Sequence, residues 1–268
     1  MDRYRLKNVI ILILLLVNVF LLGALAYRGT SARTARSRTV EELVELFAAD
    51  GMELDPDAIP GETPPPGLVL TRDLDLERSA ADCLLGGGLR RSNRGGASSY
   101  SGTGGAALFR ENGSFEAAGT LAESGGERFC RNFCQEFHYQ VVSQELDGEG
   151  SGTVTALRQY NGLTVANCAV TFTLEGDAVV SVRGTLLPES AAESAGTTEP
   201  LSAQAALTAF QAMRRETGAV ASSITEMRLC YELQSSTAAP MSLAPAWCVV
   251  TDTVNYYVNC ISGAVSQY

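Results

Sequence analysis

The stretch 128-RFCRNFCQEFHYQ-140 holds two cysteines, three phenylalanines and the only histidine of the chain. Cys130, Cys134 and His138 recur at a spacing of four, and so do Phe129, Phe133 and Phe137. These are two adjacent i, i+4 rows, which merge into one wide stripe on a helix. Arg131, Asn132, Gln135 and Glu136 fall on the opposite face and read as solvated. The stripe is therefore core-facing, and its cysteines act as small hydrophobes. Cys130 and His138 would stand about 12 Å apart along a helix axis, too far to share one metal. A Cys130–Cys134 disulfide is also disfavoured, because i, i+4 positions sit about 5–6 Å apart and a disulfide needs Cβ atoms about 3.8 Å apart.

Outward from this helix the same pattern appears twice. A helix over 122–138 precedes strands 139–146, 152–159, 163–174 and 178–187, with turns at Asp147-Gly148, Asn161-Gly162 and Glu175-Gly176-Asp177. After a polar break at 188–199, a second helix at 202–217 ends at Gly218. Strands 223–234, 245–252 and 255–267 follow. Trp247 begins a strand and is expected in the core, against helix 202–217 and the Tyr256/Tyr257 strand. A helix followed by antiparallel strands, twice, is an α+β class built from repeated units of one helix packed on an antiparallel sheet.

Upstream, residues 39–51 read as a short amphipathic helix with Thr39 as N-cap and Gly51 as stop. Pro56, Pro60 and Pro64–Pro66 predict an extended linker. A second short helix is expected at 77–85, then a Gly/Ser-rich loop at 86–105. The loop runs into GTGGAA at 102–107, which fits G-x-G-x-x-A. The dinucleotide fingerprint needs a hydrophobic strand before it and a helix after it. Here SSYS precedes, and a hairpin pattern turning at Asn112-Gly113 follows, so no cofactor is expected.

Residue types exclude several chemistries. Lys7 is the only lysine, so the body offers no Schiff-base amine, no Walker-type lysine and no Ser-x-x-Lys nucleophile. One histidine defeats every two-histidine metal motif, HExxH included. No G-x-S-x-G elbow is present. A serine triad would have to use His138, and the acids are scattered and read as a solvated face, though these counts do not exclude a paired-carboxylate glycosidase. No catalytic, cofactor or metal-ligating residue is assigned. The seven cysteines are an odd number, so full pairing is impossible, and the sequence leaves any long-range disulfide undetermined.

Residues 9–27, VIILILLLVNVFLLGALAY, are nearly uninterrupted apolar sequence. At about 1.5 Å per residue they almost cross a hydrocarbon core about 30 Å thick. The short basic start MDRYRLK favours a cytoplasmic N-terminus and an extracytoplasmic body. The competing reading is a cleaved signal peptide, on the small-x-small pattern Ala24-Leu25-Ala26. Asn18 interrupts the span near its middle, and an amide in lipid is costly unless bonded within a helix–helix interface. Gly23 and Ala24, about one turn on, allow close approach of a partner helix. These three residues are the candidate partner-binding positions. The plain alternative is that Asn18 bonds its own backbone or a water. Residues 1–38 carry seven basic residues and one acid, whereas 39–268 carry 13 arginines and 29 acids, a net of −16. An acidic body disfavours nucleic acid as a partner.

Several of these pieces resemble the YycH/YycI regulators of Gram-positive bacteria, with YycI the nearer by length. They are the basic start with its single span, ADGMELDPDAIP, TRDLDLERSAADCLLGG, FRENGSFE and RQYNGLTVANCAVTFTLEGDAVVSV. LSAQAALTAFQAM and APAWCVVTDTVNYYVNCISGAV resemble the last unit of that family, and also a PepSY-type unit. The resemblance implies a membrane-anchored extracytoplasmic protein without catalytic residues. It would modulate a sensor histidine kinase of the cell-wall two-component system, with a paralogous regulator as a further partner and no small-molecule substrate. The other function class is an extracytoplasmic PepSY-like wall-associated protein or hydrolase unrelated to signalling. The implied organisation is a cytoplasmic tail at 1–8, a transmembrane helix at 9–27, and a juxtamembrane helix with Pro-rich linker at 28–66. Three extracytoplasmic regions follow at 67–121, 122–190 and 191–268, the last PepSY-like.

Overall fold

The computed structural model describes residue 17 and residues 37–193, 199–236 and 239–268. Among these no helix is long and apolar enough to cross a membrane. The 9–27 span, with Asn18, Gly23 and Ala24, lies outside the described residues apart from Val17.

The fold is α+β and mostly sheet. Helix α1 covers residues 37–49. Strands β1 (Glu53–Leu54) and β2 (Leu68–Leu70) flank a 3-10 turn at Pro56–Ala58, and α2 is Leu74–Leu85. Next come β3 (Arg90–Arg94), β4 (Ala97–Gly102), β5 (Gly105–Phe109), β6 (Ser114–Ala122), α3 (Gly126–Glu136) and β7 (Tyr139–Leu146). Then β8 (Gly152–Tyr160), β9 (Leu163–Glu175), β10 (Ala178–Thr185), β11 (Ala191–Glu193) and α4 (Ala203–Thr217). The chain closes with β12 (Ser223–Ser236), β13 (Ala239–Thr251), β14 (Asn255–Asn259) and β15 (Val265–Ser266).

The strands form one path, β11-β2-β13-β12-β9-β10-β6-β5-β4-β3, with β8 and β7 branching from β9. It has two halves, and their join is narrow. Strand β9 meets β12 in parallel at a single register pair, Val165 with Tyr231. The Asn167 side chain completes the join, donating to Leu233 O at 2.9 Å and accepting from Leu233 N at 2.7 Å. Asn167 interrupts the apolar run 165–170 of β9, and these two bonds account for it.

Helices α2 and α3 cover the first half and share one hydrophobic cluster with β4–β10. Residues 43–59 instead join α4 and β12–β14 in a second cluster around Phe47, Phe210 and Trp247. A third cluster fills the seam, with Tyr160 and Tyr231 edge to face at 6.4 Å. Trp247 is fully buried and donates its indole N–H to Leu201 O at 2.9 Å.

The opening stretch packs as a core helix, with a correction. Cys130, Phe133, Cys134 and Phe137 are buried, an i, i+3, i+4, i+7 stripe, while Phe129 is only partly covered. His138 leaves the stripe. Helix α3 ends at Glu136, His138 takes a left-handed backbone (φ 54), and its side chain is exposed. The helix also starts later than position 122, because β6 runs to Ala122 and Gly125 turns left-handed (φ 72). Asp177, from the β9–β10 turn, caps that start by accepting from the N–H groups of Gly125 at 2.6 Å and Gly126 at 2.9 Å. These two donors hold its carboxyl below the usual range. Phe133 sits at the centre of the stripe, with ring centroids of Phe137, Phe172, Tyr139 and Phe115 at 4.6, 5.5, 6.1 and 6.3 Å.

Other boundaries move for local reasons. Thr39 lies inside α1, which is already helical at residue 37. Helix α2 begins three residues before position 77, because the Asp73 carboxylate accepts from the N–H groups of Asp75 and Leu76. The linker carries β1, paired in parallel with β12. The 86–105 segment is a β-hairpin, β3–β4, turning at Gly95-Gly96 (φ 57 and 79). GTGGAA is the β4–β5 turn. Gly105 opposes Gly119, and a Cβ at either would stand 2.2 Å from a facing carbonyl oxygen. Its glycines therefore serve strand approach.

The packing of α3 predicts a graded response to truncation. Phe133→Ala should cost about 3–5 kcal/mol of stability and Cys130→Ala on the order of 1 kcal/mol. Urea unfolding measures both, and equal small losses would contradict a core centred on Phe133.

Candidate functional site

At the seam a cleft of about 390 Å³ opens between the α3–β7 corner, the β8–β9 turn and the segment after β10. His138, Arg158, Gln159, Tyr160, Asn161, Gly162 and Glu189 line it. Its geometry follows from the end of α3. The reversal at His138 lets its carbonyl accept from Gln159 N at 2.8 Å, which sets the start of β7 beside the end of β8. The β8–β9 turn is Asn161-Gly162, both at positive φ (49 and 81), a turn that suits the twist of the two strands. His138 and Asn161 are the two non-glycine residues at positive φ among the described residues, and both line this cleft.

Arg158 is the unusual member. Strand β8 turns Val154, Ala156, Arg158 and Tyr160 towards the interior, so a guanidinium occupies an apolar row. The residue is 3% exposed. Its Nη1 donates to Phe137 O, a carbonyl at the negative end of α3. The guanidinium carbon stands 5.7 Å from the Tyr139 ring centroid. Its Nε has no hydrogen-bond partner. Among the described residues no carboxylate forms an ion pair with it. Glu189, the acid of the cleft, takes His138 instead, Oε1 to Nε2 at 3.2 Å. Tyr160 donates to Glu189 O at 2.9 Å and so fixes that segment. Removing a charge from water is costly, and a helix-end carbonyl with one ring face offsets only part of it.

The thiols are withdrawn from chemistry. All seven cysteines are unpaired, and six are buried. Burial pushes Cys130, Cys168 and Cys260 up to about 12 and Cys134 to about 11. Partly buried Cys83 is pushed to about 11, by burial first and then by Glu136. A thiolate, the nucleophilic form, is therefore scarce at neutral pH. The buried carboxylate of Glu232 is fully bonded. It accepts from Asn259 at 3.1 Å, Ser266 at 2.5 Å and Tyr268 at 2.9 Å, and so fastens β15 and the last residue to β12.

The span residues Asn18, Gly23 and Ala24 lie outside the described residues, so the structure neither gathers nor separates them. Sequence reasoning passed over Arg158. Its signal was present in 152-GTVTALRQY-160, where alternation sets an arginine on the same face as Val154 and Ala156.

No family model matches the chain, and no curated protein matches it. Among solved structures it is similar to an uncharacterized protein from Eubacterium rectale, with 9% identity over 81% of this chain and 90% of that one and a TM-score of 0.43. It is also similar to the Bacillus megaterium YpeB C-terminal domain, with 11% identity over 74% of this chain and 98% of that one and a TM-score of 0.35. Likenesses this distant do not bear on function.

The withdrawn thiols predict a labelling pattern. At pH 8 iodoacetamide should modify at most Cys83 in the folded protein and all seven cysteines in urea. Rapid native labelling of Cys130 or Cys134 would contradict it.

Proposed function

We propose that this chain works by binding rather than by catalysis, as a membrane-anchored extracytoplasmic protein that modulates a sensor histidine kinase controlling cell-wall metabolism. One observation carries the first part of this reading. The groups of the body best suited to attack a substrate are absent or unavailable. Lysine is missing beyond Lys7, burial raises all seven thiols above their usual range, and His138 is engaged by an exposed carboxylate rather than by a hydroxyl or thiol. The polar cleft holds a guanidinium, Arg158, a planar group suited to binding anions.

The second part rests on the span and on the resemblance to the YycH/YycI regulators. A pure anchor needs only apolar length, whereas this span carries Asn18. Transmembrane amide bonds are worth about 1–2 kcal/mol in model peptides. Asn18 would therefore tune association with a kinase helix, while the outer domain supplies the rest.

The test uses three versions of the full chain at matched surface expression: native, Asn18→Leu, and one with Val9–Tyr27 replaced by an unrelated span. Kinase co-purification and kinase-dependent transcription should fall for the replaced span and partly for Asn18→Leu. The native N-terminus, read by mass spectrometry, should be uncleaved. A mature chain starting at Tyr27, or no kinase co-purifying with the native protein, would defeat this reading.

A further inference from the structure

We infer that the seam cleft is a binding site for a small monovalent carboxylate, held by Arg158. This inference stands on the geometry alone and holds whether or not the partner is a kinase. Arg158 is 3% exposed and lines the cleft. Its Nη1 is spent on Phe137 O, its Nε is enclosed without a partner, and no carboxylate of the described residues pairs with it. A buried guanidinium with a spare donor is a planar fork that matches a carboxylate. The cleft volume, about 390 Å³, lies within the range of small-ligand sites, roughly 300–1,000 Å³.

The neighbours select among anions. Glu189 adds a negative charge to the same cleft, and residues 39–268 carry a net −16. Both disfavour a dianion such as phosphate more than a monoanion. Asn161 lines the rim beside Gln159, whose amide is held by Thr164, and the His138–Glu189 pair closes one side. Two sources share this chemistry: a free organic acid, and the terminal carboxylate of a short peptide.

The experiment uses the purified full-length chain in neutral detergent, with the arginine side chains labelled with nitrogen-15. Four probes are titrated: acetate, N-acetyl-alanyl-alanine, its C-terminal amide, and inorganic phosphate. Acetate or the dipeptide acid should move the Arg158 Nε–H resonance and raise the unfolding temperature in a saturable way. The amide should do neither. Arg158→Gln should weaken acid binding by roughly tenfold or more, as loss of a charged hydrogen-bond partner does. Tighter binding of the dipeptide acid than of acetate assigns the site to peptide ends, and the reverse order assigns it to free acids. If Arg158→Gln does not fold, the native resonance decides alone. An Nε–H signal unmoved by either acid, or phosphate binding more tightly than both, overturns the inference.

Discussion

Helix α3 is held at both ends by the strands it covers. Asp177 accepts from the first N–H groups, and Arg158 donates to Phe137 O at the last turn. Both charges stand where the helix dipole favours them, an acid at the start and a base at the end. Between them Phe133 stacks into the aromatic cluster of the first half. These contacts set the axial position of the helix, so the reversal at His138 occurs at one place. That reversal forms one wall of the seam cleft.

The two halves depend on each other through few bonds. One register pair and the Asn167 side chain connect the ladders. The apolar seam of Leu68, Tyr160, Cys168, Tyr231 and Met241 contributes the remaining packing. The segment after α1 returns to the far half and pairs β1 with β12, so 37–59 is tied to the end of the chain rather than to its sequence neighbours. The cleft lies at this seam, beside the Tyr160 that belongs to its apolar packing.

What was legible in the sequence follows the strength of local signals. The Cys130–Phe137 stripe, the strands β7–β10 and the capped helix α4 read correctly because periodicity and turn residues agree there. The Gly218 stop is used as expected, while Ser202, read as the first helical residue, is the N-cap of a helix that begins at Ala203. The hairpin β3–β4 was read as a loop because RRSNRGGASSYSG lacks the β-branched and aromatic alternation of a strand. Its ladder is held instead by pairing with β5, a contact that no local window contains. His138 was placed on the helical stripe because four-residue spacing continues to it, while the helix stops two residues earlier. Arg158 was legible as a break in an alternating row, but the reason for it, the carbonyl at the end of α3, is 21 residues away in the chain.

Native-state hydrogen exchange on the full-length protein tests the central claim, that α3 and the sheet beneath it form one cooperative unit clamped by Asp177 and Arg158. The account predicts that the amides of Phe133, Phe137, Val154 and Phe172 exchange with one common free energy, equal to that of global unfolding. Release of the α3 amides by a lower-energy opening, with β8 and β9 still protected, would contradict it.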